Sequence, residues 1–87
     1  MKAYIIIGET GEYEDRVEWE VVASLDKNKI IEYRDRLRKF LVDHKIPEES
    51  YYPCFELDSP CNPEDPLLDV YWRHFGVKYS ISELELM

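Results

Sequence analysis

Between Val17 and Lys45 the apolar residues change their spacing once, and that change restricts the kind of domain this chain can form. Over 17–25, Val17, Trp19, Val21, Ala23 and Leu25 alternate with Glu18, Glu20, Val22 and Ser24, the period of a strand with one buried face. Over 27–45 the positions Ile30, Ile31, Tyr33, Leu37, Phe40, Leu41 and His44 recur at steps of three and four, which gathers them into one helical stripe. Asp26 stands at the junction, with a carboxylate suited to accept the free N–H groups of a first helical turn. Glu32 with Arg36 and Asp35 with Lys39 are spaced for ion pairs on the solvent side. His44, in the last turn, can oppose the helix C-terminal dipole when protonated, and Pro47 stops the helix.

The flanking segments complete a sheet. KAYIIIG over 2–8 is a continuous apolar run, which predicts a strand buried on both faces and central in its sheet. The intervening ETGEYEDR supplies Gly11 for a positive φ and enough residues for a hairpin loop longer than the two-residue type. All five prolines fall within 47–66, so that stretch reads as a loop or as a short edge strand around CFEL. PLLDVYWRHF over 66–75, with Pro66 first and Gly76 beyond its end, reads as a further short helix. A closing strand over 77–86 places Val77, Tyr79 and Ile81 inward and then shifts phase to Leu84 and Leu86, which predicts a β-bulge. The expectation is one α+β domain over residues 1–87: a small antiparallel sheet in β-β-α-loop-β order, a short helix at 66–75, and one main helix packed on one face. Trp19, Phe55, Trp72 and Phe75 are expected in its core.

Charge is unevenly placed. The net −8 arises from six acids against one arginine in 9–20 and seven acids with no base in 47–69, while 21–46 carries seven Lys and Arg against four acids. Direct nucleic-acid binding is disfavoured, because phosphate recognition needs clustered cations. A basic protein surface is the better electrostatic match, and carboxylates spread over a rigid small domain can imitate a phosphate array in a nucleic-acid-binding groove. Solubility of a tyrosine-rich chain is the plainer use of the same acids. The candidate partner-binding residues are Glu9, Glu12, Tyr13, Glu14, Asp15 and Glu18 in the first acidic segment, and Tyr51, Tyr52, Glu56, Asp58, Glu64 and Asp65 in the second.

Catalytic signals are weak. The carboxylates lie in solvated segments rather than in a dry site that would separate their pKa values, and Ser50, Ser59, Ser80 and Ser82 sit in no triad context. No cofactor motif is present, and the chain is not expected to be an enzyme. Cys54 and Cys61 are six residues apart and His44 and His74 match no ligand spacing, so no metal site is expected and the cysteines are expected as thiols. No apolar run approaches the ~20 residues of a membrane span, and the opening run is too short for a signal peptide, which points to the cytoplasm and away from a membrane.

The segment MKAYIIIGETGEYEDRVEWEVVASLDKNKI over 1–30 resembles a group of short proteins encoded by bacteriophages and prophages. These open with a strand, continue into a T-G-E-Y-S/E-D-R-x-E-W hairpin, and end a second strand at an Asp before a helix. The shared hairpin positions are Thr10, Gly11, Glu12, Tyr13, Asp15, Arg16, Glu18 and Trp19. NPEDP at 62–66 and the closing VKYSISELEL are similar to that group's Asn-Pro-x-Asp-Pro and final strand, whereas LLDVYWRHFG departs from it. The resemblance implies a context, a bacterial host cell, rather than a chemistry. In that context small acidic proteins often block host proteins, defence nucleases among them, in the manner of anti-CRISPR inhibitors. The expected function is therefore inhibitory binding to a basic surface of a host protein. The alternatives are a module holding a small ligand or nucleotide between Tyr13, Arg16 and the Tyr51–Tyr52 loop, with a homodimer as one arrangement, or a structural protein without catalytic activity.

Overall fold

A computed structural model of the chain describes residues 1–11, 16–46, 61–72 and 76–86. Its elements are β1 (Lys2–Thr10), β2 (Val17–Ser24), α1 (Lys27–Asp43), α2 (Leu67–Tyr71) and β3 (Val77–Glu85). The three strands form an antiparallel sheet in the order β2-β1-β3. The apolar run does become the central strand, and the fold is α+β with one main helix and one short one. The expected CFEL edge strand lies outside the described residues.

Among the described residues the sheet has a helical layer on one side only. Ile6, Trp19, Val77 and Tyr79 point to one face, where they form a single buried cluster with Ile30, Leu37 and Leu41 of α1, Leu68 of α2, and Ile46 and Trp72. Ile5 and Ile7, on the other face of β1, are only partly buried. A continuous apolar run here therefore does not mean burial on both faces, because no described element covers the second face. Trp72 takes its expected core place, while Phe55 and Phe75 fall outside the described residues.

The phase change expected in the closing strand is absent. β3 pairs with β1 in unbroken register from Lys2 opposite Glu85 to Thr10 opposite Val77. The irregularity instead lies in β2, where Ile6 faces Val22 and Ile7 faces Glu20, leaving Val21 as the extra residue. The bulge explains why the strict alternation over 17–25 fails after Trp19: Val22 rather than Val21 is aligned with core-facing Ile6, and Leu25 is exposed.

Local rules account for the ends of α1. Asp26 Oδ1 accepts the N–H groups of Asn28 and Lys29 at 3.0 and 3.2 Å, and Ser24 Oγ accepts the Asp26 N–H. At the other end the Ile46 N–H donates to the Leu41 carbonyl and the Lys45 N–H to the Val42 carbonyl, the two bonds of a Schellman closure. Buried Ile46 seals it from the apolar side. His44 is the C-cap: its ring stacks on Phe40 at 3.9 Å and Nδ1 lies 2.9 Å from the Phe40 carbonyl. The expected Glu32–Arg36 and Asp35–Lys39 pairs give way to others, Arg36 reaching Glu64 at 2.9 Å and Arg34 approaching Asp35 at 3.8 Å.

Two positions carry steric constraints that substitution can expose. Lys45 has φ of 59°, the left-handed conformation that costs a side-chain-bearing residue roughly 1–2 kcal/mol. Lys45→Gly is expected to raise stability by about 1 kcal/mol in denaturant titration, the gain being reduced by glycine's extra chain entropy. Gly8 lies opposite Trp19, and a Cβ there would fall 2.4 Å from Trp19 Cε2 and 2.5 Å from Cζ2. The indole cannot retreat from a closed core, so Gly8→Ala is expected to cost about 3 kcal/mol, read as a lowered unfolding midpoint.

Candidate functional site

The described carboxylates fall into two groups with opposite fates. The first is at the hairpin end of the sheet. Glu9 and Glu18 stand directly opposite one another on β1 and β2, a placement that repels. Arg16 resolves it: its guanidinium donates to Glu9 Oε2 at 2.9 Å and to Glu18 Oε1 at 2.7 Å. These bonds, led by the one to Glu9, hold the Arg16 guanidinium above its ordinary pKa. Thr10, one residue on from Glu9, is buried and donates through Oγ1 to the Gly76 carbonyl at 3.0 Å, so the strand that carries Glu9 is fastened to the start of β3. Gly11 then turns the chain with φ of 85°. Arg16, half-exposed, is thus paired with two carboxylates. Glu12, Tyr13, Glu14, Asp15, Tyr51, Tyr52, Glu56 and Asp58 lie outside the described residues.

The second group is NPEDP, and here the surface expectation fails for one residue. Asp65 is 1% exposed. Its carboxylate accepts the Trp19 indole N–H at 3.1 and 3.0 Å and the Tyr79 hydroxyl at 2.6 Å. A buried Trp and Tyr each need an acceptor for their polar tip, and Asp65 serves both at once. No described Lys or Arg forms an ion pair with it. The surrounding residues hold it there by a tight turn. The Asn62 side chain accepts the Glu64 N–H at 3.0 Å, the Asp65 N–H donates to the Asn62 carbonyl at 2.9 Å, and the Asp65 carbonyl accepts from Leu68 at the start of α2. Glu64 remains on the surface, but paired: Arg36 donates to its carboxylate at 2.9 Å and the Tyr33 hydroxyl donates to its carbonyl at 2.6 Å. NPEDP is therefore a clamp that fixes α1, α2 and the sheet to one another, and Asp65 is withdrawn from the set of partner-binding residues.

Reasoning from sequence missed this triad because an acid in a proline-rich acidic stretch reads as solvated. The available signal was indirect: an Asn and an Asp three residues apart around Pro63 suit a turn, and inward-facing Trp19 and Tyr79 lacked acceptors.

The triad's chemistry is structural rather than reactive. Burial first, and then the bond to Asp65, pushes the Tyr79 hydroxyl far above its ordinary pKa; burial also raises the Tyr33 hydroxyl. Every polar atom of the triad's side chains has a partner inside the fold. Among the described residues no group of three or more His, Cys, Asp and Glu could hold a metal ion, and Cys61 is an exposed free thiol. Cys54 and His74 are outside the described residues. No described helix is long and apolar enough to cross a membrane. Comparison of the chain with family models, with curated proteins and with solved structures finds no match.

A phenol raised in the folded state favours folding while it stays neutral. That contribution is complete below the unfolded tyrosine value near 10 and is lost as pH rises toward the folded value, because the unfolded chain then ionises freely. Unfolding midpoints should therefore fall as pH rises above about 10, and Tyr79→Phe should flatten that fall. At neutral pH the same variant should cost about 2 kcal/mol, the worth of a hydrogen bond to a charged acceptor. Asp65→Ala, which strands both donors, should cost about 2–5 kcal/mol in chemical denaturation.

Proposed function

We propose that the protein acts by binding, as a phage-type inhibitor whose acidic hairpin end engages a basic surface on a bacterial host protein, a nucleic-acid-binding defence effector being the fitting class. The observation that supports this reading most is the Glu9–Arg16–Glu18 bridge. It commits the one cation of the 9–20 segment to two of its six acids and ties the base of the loop to a sheet fastened at Thr10. Carboxylates held on a fastened sheet, as Glu9 and Glu18 are, lose little conformational freedom on binding, so their charge is more effective against a basic partner. A solvated acidic tail has no such mounting. The resemblance of 1–30 to short phage and prophage proteins supplies the host context, and the hairpin residues that carry it are those of this end of the sheet.

The reading makes no use of catalysis, and the one buried carboxylate among the described residues is committed to the core. The second acidic segment contributes less than its composition suggests, because Asp65 is buried and Glu64 is neutralised by Arg36.

The experiment is capture of the host partner on the immobilised protein, followed by titration of the complex with salt. Exposed charges are screened over ~10 Å at 0.1 M, so affinity should fall at least about tenfold between low and physiological ionic strength. Replacing Glu12, Glu14 and Glu18 together by Gln should weaken binding by a similar factor with the unfolding midpoint little changed. A complex indifferent to both changes excludes the acidic-tip reading. A large thermal shift with a nucleotide in place of a protein partner would favour the ligand-binding alternative.

A further inference from the structure

The side of the sheet turned away from α1 has an order that the core does not explain. Cross-strand partners place Lys78, Glu9 and Glu18 in one row, Ser80, Ile7 and Glu20 in the next, Ser82, Ile5 and Ala23 in the third, and Leu84 beside Ala3 at the far end. These residues occupy the positions alternate to core-facing Ile6 and Tyr79, so they share the face that no described element covers. Ile5 and Ile7 thus run down the middle, flanked by Ser82 and Ala23 and by Ser80 and Glu20. Leu84 is 51% exposed, and Leu25, just past the end of β2 at the same end of the sheet, is 60% exposed. Lys78 and Glu20 are exposed and form no ion pair with any described residue.

We propose that this face binds a second copy of the chain, the two sheets packing face to face about a two-fold axis that runs along β1 between them. The charges select the occupant and the axis. Rotation about a line parallel to the strands keeps each row in place and exchanges β2 with β3. Lys78 of each copy then meets Glu18 of the other, the Ser80 hydroxyl can donate to Glu20 of the other, and Ser82 meets Ala23 of the other. The isoleucine stripes lie against each other, and each exposed Leu84 comes toward the Leu25 end of its mate. A two-fold axis across the strands would instead set Lys78 over the Leu84 end and pair no charges. Glu9 comes nearest its own copy at the axis, where each is already held by Arg16. Sheets packed this way sit about 10 Å apart with strands within about 30° of alignment.

The face measures roughly 14 by 24 Å from standard strand spacing and rise. That is well below the ~800 Å² per partner typical of stable complexes, so the dimer is a weak, reversible one, to be sought at concentrations on the order of 10–100 µM and above. Glu18 also belongs to the acidic end proposed above to engage a host protein, so the test is read with no other protein present.

Sedimentation equilibrium of the full chain should give a mass moving from 10.5 kDa toward twice that value as concentration rises through this range. Lys78→Glu, which sets two like charges against Glu18, should weaken association by about tenfold or more. Adding Glu18→Lys to it restores opposite signs and should recover the dimer. Ile7→Glu should give monomer with an unchanged far-ultraviolet circular dichroism spectrum. Should Ile7→Glu not fold, the charge-reversal pair decides alone, since both of its residues are exposed in the single chain. A monomer at all concentrations overturns the proposal, and a dimer that is indifferent to Lys78→Glu, or not rescued by the second change, overturns this face as its seat.

Discussion

The Asp65 carboxylate, accepting from Trp19 and Tyr79 in the interior, is the interaction on which the rest of the structure depends. It joins three parts of the chain that are far apart in sequence: the second strand, the proline-rich segment and the closing strand. A buried carboxylate facing only neutral donors is costly to desolvate, so the arrangement holds only because both donors are positioned by other constraints. Trp19 lies flat over Gly8, where no side chain competes for the space, stacks on Tyr71 at 5.7 Å and meets Tyr79 edge-on at 6.4 Å. Gly8 therefore serves packing rather than chain flexibility. The turn through Asn62 delivers Asp65 to the indole and phenol that need an acceptor, and its carbonyl starts α2.

The clamp also sorts the acids. A net charge of −8 on so short a chain suggests a uniformly acidic surface, yet the described carboxylates are put to different uses. Asp65 is structural, Glu64 is tied to Arg36 on the main helix, Asp26 caps that helix, and Glu9 and Glu18 share Arg16. What distinguishes the hairpin end is that its carboxylates are organised at an exposed edge of a rigid sheet instead of being absorbed by the fold. Composition alone gives both acidic segments equal standing; hydrogen bonding separates them.

The sheet's two faces differ in what the described residues place on them. One face is closed by α1 over Ile6, Trp19, Val77 and Tyr79. The other has no described cover and carries Ile5 and Ile7 between charged residues at one end and exposed Leu84 at the other. A small domain with one helical layer buries little surface, and self-association through the free face is one way to shield the rest.

Much of the fold was legible in the sequence, because it is written in local terms. The change of hydrophobic period at Asp26 located the strand–helix junction, the helix cap followed from Asp26 itself, and the isoleucine run marked the central strand. Other features depended on contacts between distant residues. Whether Ile5 and Ile7 would be covered, whether the bulge would fall in the second strand or the third, and where Arg36 would find its carboxylate are all settled by how the helix lies on the sheet. The candidate site shows the same division. Its acids at 9–20 and the turn at Gly11 could be read directly, since charge and glycine act where they stand. That Asp65 belongs to the core, and that Arg16 bridges acids on two neighbouring strands, only the tertiary structure decided, because a carboxylate's role is set by the donors that reach it and by the water excluded from it.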